Sequence, residues 1–265
     1  MSLIKIENIC AGYGEDNIIE NISFDINAGE MVGILGANGS GKSTLEKAVC
    51  NVLTHDGNVT IDGLVIEELK VPRVANIISY IPQRSGIGID ISVLDVVMMG
   101  FNPKLGFLEN PDQTMKKQAL DVIERLGLAD KSDSNFMQLS EGQKQLVIIA
   151  RALVSDAKLL VMDEPESALD FSIRYKIMKI LREWISCGSR SGLIILHDIM
   201  LALNNCDRLI LLKDKNIIET VDLHNDSIEN METKLRMIYG DISLVKTTSK
   251  KGIDSYSMIY DSEGV

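Results

Sequence analysis

Residues 36–44, Gly-Ala-Asn-Gly-Ser-Gly-Lys-Ser-Thr, carry the densest chemical signal in the chain. Gly36, Gly41, Lys42 and Ser43 fill the spacing of a phosphate-binding loop: glycine, four residues, then Gly-Lys-Ser/Thr. Such a loop closes backbone N–H groups around phosphate oxygens, and side chains at the glycines would stand in the way. The helix that follows points the positive end of its dipole at the same anion. Lys42 can reach the β- and γ-phosphates, and the Ser43 hydroxyl can ligate magnesium. Ala37, Asn38, Gly39, Ser40 and Thr44 complete the cradle. The implied ligands are a nucleoside triphosphate and Mg2+.

A second group of reactive residues closes the apolar run Val161-Met162-Asp163-Glu164-Pro165. In a phosphate-loop protein, an acid at the C-terminal edge of a strand sits near the nucleotide and can hold magnesium, usually through water. Taken alone, the pair is equally consistent with solvated acids. Beside residues 36–44, Asp163 reads as the magnesium partner and Glu164 as a general base for an attacking water.

These groups must be positioned by regular elements. Runs 31–35, 158–163, 192–196 and 77–81 have the unbroken apolar character of parallel strands buried on both faces. Segments 3–9 and 18–26 mix apolar and polar residues, as strands with one buried face do, and 58–66 reads as another such strand or a hairpin; together they predict an antiparallel sheet beside the nucleotide. Lys42 to about Leu53 is expected to be helical. So is a segment capped by Ser92 and running through Met99. Another helix should open at Asn110-Pro111, with Leu120, Ile123 and Leu126 on one face, and a third should follow Ser140. Helices at 170–186, 199–205 and 227–239 alternate with strands at 208–213 and 216–221. Thr247 to Gly252 reads as a turn before a last strand at 256–260.

Composition narrows the class. Of 265 residues, 45% are hydrophobic and 25% charged, and the net charge is −11. That balance argues against a general nucleic-acid binder, which needs clustered Lys and Arg. No apolar stretch approaches the ~18 residues of a membrane span. Met-Ser-Leu-Ile-Lys at the start lacks a secretory leader's apolar run. Cys10, Cys50, Cys187 and Cys206 have no CxxC spacing and read as spare buried thiols in a reducing, cytoplasmic setting. His55 and His224 have no motif around them and are expected on the surface.

Nearly the whole chain resembles the ATP-binding-cassette ATPases. Leu139-Ser140-Glu141-Gly142-Gln143 is similar to the family signature, usually written LSGGQ, and leads into Ala150-Arg151-Ala152-Leu153. Gln83 in Ile81-Pro82-Gln83 resembles the glutamine loop, and Ser167-Ala168-Leu169-Asp170 the loop that touches a partner subunit. His197 in Leu196-His197-Asp198 resembles the switch histidine, and Tyr13 stands where the family stacks an aromatic on adenine.

The resemblance implies an α/β fold: a P-loop NTPase core with a parallel sheet, an antiparallel β subdomain and an inserted helical subdomain. Residues 1–83 and 156–225 would form the core, 84–155 the helical part and 226–265 a C-terminal extension. It also implies a homodimer with ATP at the interface, where Ser140, Gly142, Gln143 and Asp170 of one copy complete the site of the other. Lys42, Glu164, His197 and Gln83 would be catalytic, and Ser43, Gln83 and Asp163 would hold magnesium. Hydrolysis would remove the γ-phosphate bridge and open the dimer. The partners implied are a separate membrane permease, on whose cytoplasmic face the chain would sit, and an extracytoplasmic substrate-binding protein, with no nucleic acid.

Ile91 to Gly100, Gly142 to Ala150, Asp207 to Asp214 and Ile238-Tyr239-Gly240 resemble importer ATPases for iron chelates, haem and cobalamin. Zinc or manganese importers, then other importer ATPases, are the alternatives, with a non-transport cassette such as one of iron–sulfur assembly behind them. Non-transport cassettes fit less well: those of DNA repair carry long coiled coils, and those of translation carry two cassettes and basic surfaces. Four departures stand out. Glu141 replaces a signature glycine and would bring negative charge towards the partner's γ-phosphate. Glu166 stands where Thr is commoner, Ala37 replaces a frequent proline, and Lys215-Asn216 replaces a turn glycine at a point where Asn tolerates the geometry.

Overall fold

The structure, a computed structural model, describes residues 2–83, 86–106 and 109–261. Residues 84 and 85, where the helical subdomain is expected to start, lie outside the described residues. Strands β1 (Ser2–Tyr13), β2 (Asp16–Asn27), β4 (His55–Ile61) and β5 (Leu64–Val65) form an antiparallel sheet in the order β2-β1-β4-β5. A second sheet runs β10-β9-β3-β8-β7-β6, built from β3 (Met31–Leu35), β6 (Ile78–Ile81), β7 (Leu159–Asp163), β8 (Ser191–Ile195), β9 (Arg208–Lys213) and β10 (Asn216–Asp222). Its strands are parallel except where β10 returns beside β9.

The parallel strands are mainly apolar because both faces are covered. Met31, Leu160, Met162, Ile194, Leu209 and Leu211 face one core, with α3 (Val93–Met98), α4 (Gln113–Arg125), α5 (Glu141–Val154) and α6 (Phe171–Ser186). Their neighbours Val32, Ile34, Leu159, Val161, Leu193, Ile195, Ile210 and Leu212 face the other core, with the antiparallel sheet and α1 (Lys42–Val49). This period of two lets the sheet hold two hydrophobic layers. Helix α1 lies between the sheets, fixed by Leu45, Ala48 and Val49. The phosphate loop therefore joins a rigid strand to a rigid helix.

Several expectations need correction. Helix α1 stops at Val49, not near Leu53, because Asn51 takes a left-handed backbone (φ 54°). Segment 58–66 takes the hairpin form of the two expected, but begins earlier, at His55, and turns through Asp62 (φ 51°) and Gly63 (φ 79°). Asp112, not Asn110, caps α4, accepting the Met115 N–H at 2.8 Å. Ile123 and Leu126 face its core but Leu120 is exposed, and Ala119 takes the inward place. In the β9–β10 turn the left-handed positions fall on Asp214 (φ 48°) and Lys215 (φ 70°), not on Asn216.

Two elements were not anticipated: α2 (Val71–Ile77), opened by Pro72, and β11 (Ile242–Thr248). Strand β11 pairs with β12 (Asp254–Tyr260) in a C-terminal hairpin after α8 (Ile228–Tyr239). The His55 side chain is buried, with Nε2 2.9 Å from Glu67 Oε1 and Nδ1 2.9 Å from Leu53 O. Cys187 is exposed, and the other three thiols are fully or partly buried. Among the described residues no helix is long and apolar enough to cross a membrane.

Candidate nucleotide site

The loop between β3 and α1 has the glycines its backbone requires. A Cβ at Gly36 would stand 2.4 Å from Leu212 O, and one at Gly41 (φ 99°) would stand 2.4 Å from Ile19 Cγ2. Both clashes are with fixed groups, so no larger residue fits without moving the loop. Lys42 Nζ donates to Gly36 O (2.9 Å) and Ala37 O (3.0 Å), which curls the loop around its ammonium group. Burial lowers the Lys42 pKa, opposed by the charges of Glu164 and Asp163. Ser40 Oγ is buried with no partner among the described residues.

A cavity of about 280 Å³ lies between residues 38–44 and a facing wall of Ile18, Glu164 and His197. Drug-sized ligand sites start near 300 Å³, so this cavity suits a triphosphate better than a whole nucleotide. Glu164 leaves β7 with a left-handed backbone (φ 46°), its N–H bonded to Ile195 O at 3.1 Å. Gln83 Nε2 donates to Glu164 Oε2 at 2.6 Å, and His197 Nε2 lies 2.6 Å from Glu164 Oε1. Three residues from three parallel-strand ends thus meet at one carboxylate, across the cavity from Lys42.

Asp163, at the end of β7, has its pKa raised by burial and by Glu164. No group of three His, Cys, Asp or Glu side chains among the described residues could form a metal cage. Magnesium asks for less than a cage, because it keeps waters and binds through one or two protein oxygens plus substrate phosphates. A serine hydroxyl at the start of α1 and one strand-end carboxylate fit that chemistry.

The signature residues sit away from this cavity. Ser140 caps α5 in a reciprocal capping box: its hydroxyl accepts the Gln143 N–H (3.3 Å), and Gln143 Oε1 accepts the Ser140 N–H (3.1 Å). A Cβ on Gly142 would stand 3.0 Å from Ala168 O, so the first turn of α5 lies against the loop that follows Glu164. Asp170 occupies the cap position of α6, and its carbonyl accepts from Ile173 and Arg174. Glu141 is exposed and paired with Lys144 Nζ at 2.8 Å, which offsets the charge that this residue brings to the helix start. Glu141→Gly is therefore expected to raise ATP affinity or turnover only about twofold. Steady-state ATPase kinetics check this, and unchanged constants would contradict it.

Tyr13 is exposed and lies outside the loop cavity, beside Leu53 and Thr54, with its hydroxyl accepting from Lys47 Nζ at 3.1 Å. Sequence reasoning missed Lys47, Ile18 and the buried acid Glu46, and it singled out Glu166 without foreseeing its burial. Glu46 is 1% exposed on the inner face of α1, and neither of its side-chain oxygens has a partner among the described residues. Burial, and then the Asp163 charge, push its pKa up to about 9. The signal was an acid at an otherwise apolar helix position. Glu166 is 4% exposed, with its pKa pushed up to about 7, first by burial.

With this geometry in place, comparison with known proteins is direct. A sequence-family profile described as ABC transporter matches residues 19–167, more than half of the chain. The chain belongs to the ABC transporter family. ABC cassettes bind nucleotide, hydrolyse ATP, form dimers and work with membrane permease subunits. The manganese transport system ATP-binding protein MntB of Bacillus subtilis is 32% identical, over 86% of this chain and 90% of its own. A probable iron chelatin transport ATP-binding protein of Helicobacter pylori is also 32% identical, over 81% of this chain and 85% of its own. Among solved structures, an inward-facing metal-chelate type ABC transporter superposes with a TM-score of 0.79 over 98% of this chain and 99% of its own, at 24% identity. A dimeric bacterial ABC transporter cassette gives 0.74 over 83% of this chain and 98% of its own, at 28% identity.

Proposed function

We propose that this ABC cassette couples ATP binding and hydrolysis to import through a separate permease, with iron chelates of the siderophore, haem or cobalamin type as cargo. The observation that carries the ATPase part is the Glu164 carboxylate, held by Gln83 and His197 opposite Lys42. Glu164 takes the proton of the attacking water, and Lys42 and the α1 N-terminus offset charge on the β- and γ-phosphates. His197 stabilises charge on the transferred phosphoryl group, and Gln83 ties the site to the region that meets the permease. Ser43 and Asp163, with Gln83, would hold Mg2+, which supplies charge neutralisation at the phosphates when bound. Tyr13 stacks on adenine once the base extends past the cavity.

Two copies enclose two nucleotides, with Ser140, Gly142, Gln143 and Asp170 of each completing the other's site. Residues 1–83 and 156–225 serve as the core, 84–155 as the helical subdomain and 226–265 as an extension. The permease and an extracytoplasmic binding protein complete the system, and the cassette sits on the cytoplasmic side. An apolar groove of about 200 Å³, lined by Val52, Val71, Val74, Ile78 and Tyr80, lies on the element that runs on to Gln83. It suits a cytoplasmic segment of the permease. Val71→Glu should cut coupled uptake about tenfold, comparable to losing an interface anchor, and leave the ATPase of the isolated cassette within about twofold. Equal losses in both assays would remove this groove from the account.

Iron-chelate cargo is supported by the Helicobacter pylori relative, and manganese, the second reading, by the Bacillus subtilis relative. Reconstitution with the permease encoded beside this chain separates them. The expected result is ATP-dependent uptake of a ferric chelate, haem or cobalamin; uptake of manganese or zinc alone would overturn the iron-chelate assignment.

A further inference from the structure

Helix α7 (Ile199–Asn205) begins two residues after His197. Asp198 caps it, its Oδ1 accepting from the N–H groups of Met200 (2.9 Å) and Leu201 (3.2 Å). Any displacement of α7 along its axis therefore reaches His197 through one rigid cap. With fewer than two turns, the helix has little stiffness of its own and needs external support.

That support comes from the C-terminal hairpin. Asn204 Oδ1 accepts the Tyr256 N–H at 2.8 Å, and Asn204 Nδ2 donates to Tyr256 O at 3.0 Å. The amide pairs with both backbone groups of Tyr256, as a neighbouring strand residue would. One turn earlier, Met200 Sδ accepts the Met258 N–H at 3.3 Å. Strand β12 thus has alternate residues of its outer edge covered by two side chains of α7, while its inner edge pairs with β11.

The far side of the hairpin is fixed to α8. Arg236 Nε donates to Ile242 O at 2.8 Å, and Glu232 Oε2 accepts the Leu244 N–H at 2.9 Å. Ile242 and Leu244 are buried in the same core as Leu201, Ala202 and Leu203. A continuous set of contacts runs from α8 through the hairpin to Asn204, α7, Asp198 and His197, and so to Glu164.

We propose that the C-terminal hairpin is a brace that sets the position of His197, with Asn204 as the positioning residue at its contact. This rests on the reading of His197 as the group that stabilises the transferred phosphoryl. Among the described residues none of the hairpin lines the cavity, so its influence is expected on turnover rather than on ATP binding.

The test uses the full-length cassette in four forms beside wild type: Asn204→Leu, Asn204→Asp, His197→Ala and the double variant Asn204→Leu/His197→Ala. Asn204→Asp keeps the acceptor for the Tyr256 N–H and loses the donor. Asn205→Ala is the control, since among the described residues Asn205 Nδ2 bonds only within α7, to Leu201 O at 2.9 Å. Asn204→Leu is expected to lower kcat about five- to tenfold with KM for ATP within about twofold, and Asn204→Asp less. In the His197→Ala background the Asn204→Leu effect should vanish, because coupled residues are not additive. The His197 side-chain ¹⁵N resonances should move in Asn204→Leu and not in Asn205→Ala. An equal kcat loss from Asn204→Leu in both backgrounds, or a fall in Tm with unchanged kcat, overturns the brace alone. Wild-type turnover in His197→Ala overturns the reading of His197 and the brace with it.

Discussion

Glu164→Gln is expected to lower ATP turnover by about 10²- to 10⁴-fold, the usual contribution of a positioned general base. The substitution keeps the shape: the amide oxygen can still accept from Gln83 Nε2, and the amide NH2 can donate to His197 Nε2 in the tautomer that carries its proton on Nδ1. What it removes is the carboxylate that takes a proton from water. ATP affinity should change little, because the loop glycines, Lys42 and Ser43 are untouched. With binding intact and hydrolysis stopped, the nucleotide-bound dimer should persist and run as a dimer in size-exclusion chromatography with ATP, and as a monomer with ADP. Near-normal hydrolysis by the variant would remove Glu164 from the role of base.

The second large effect concerns stability. Glu46 is buried without a partner, and its pKa is pushed from 4.5 up to about 9, mainly by burial. Folded protein keeps this proton at neutral pH, and the unfolded chain releases it above about pH 4.5. The native state therefore binds more protons than the unfolded state across this window, and stability falls as pH rises from about 4.5 to 9. The limiting slope is about 1.4 kcal/mol per pH unit. Glu46→Leu removes the buried acid and fills an apolar position on α1. At pH 8, in nucleotide- and magnesium-free buffer, it should stabilise the cassette by roughly 2–4 kcal/mol. That corresponds to roughly 5–10 °C in Tm for a chain of this size. Near pH 5 the gain should shrink to about 1 kcal/mol or less. Thermal unfolding of both proteins at the two pH values measures it. A gain of the same size at both, or a loss at pH 8, would contradict a neutral buried Glu46.

Much of the site was legible because short-range patterns encode it. A phosphate loop is a local arrangement of glycines, the strand at 31–35 falls where its unbroken apolar run placed it, and a strand fills 208–213 as expected. Ser140 and Gln143 were recognised as part of a family signature, although their spacing also spells a capping box, which is what they form within this chain. What escaped depended on partners distant in sequence. The His55 side chain is buried because Glu67 folds over it, and Leu120 is exposed because Ala119 packs inward. Strand β11 carries ordinary polar residues at its exposed end, and only its pairing with β12 and its bonds to α8 make it a strand. The bonds of Gln83 and His197 to one carboxylate join three strand ends, and no local pattern specifies such a meeting.

The central claim is that the site at residues 36–44 is one half of an active site, completed by Ser140 of a second copy. Mixing two inactive variants tests it most directly. Lys42→Ala disables the loop half, and Ser140→Arg disables the signature half at a cost of about 1 kcal/mol in lost capping. Each alone should be inactive. In an equimolar mixture, half of the dimers carry one intact composite site, so about a quarter of wild-type ATPase activity should return. A mixture no more active than the average of the two variants would contradict the account.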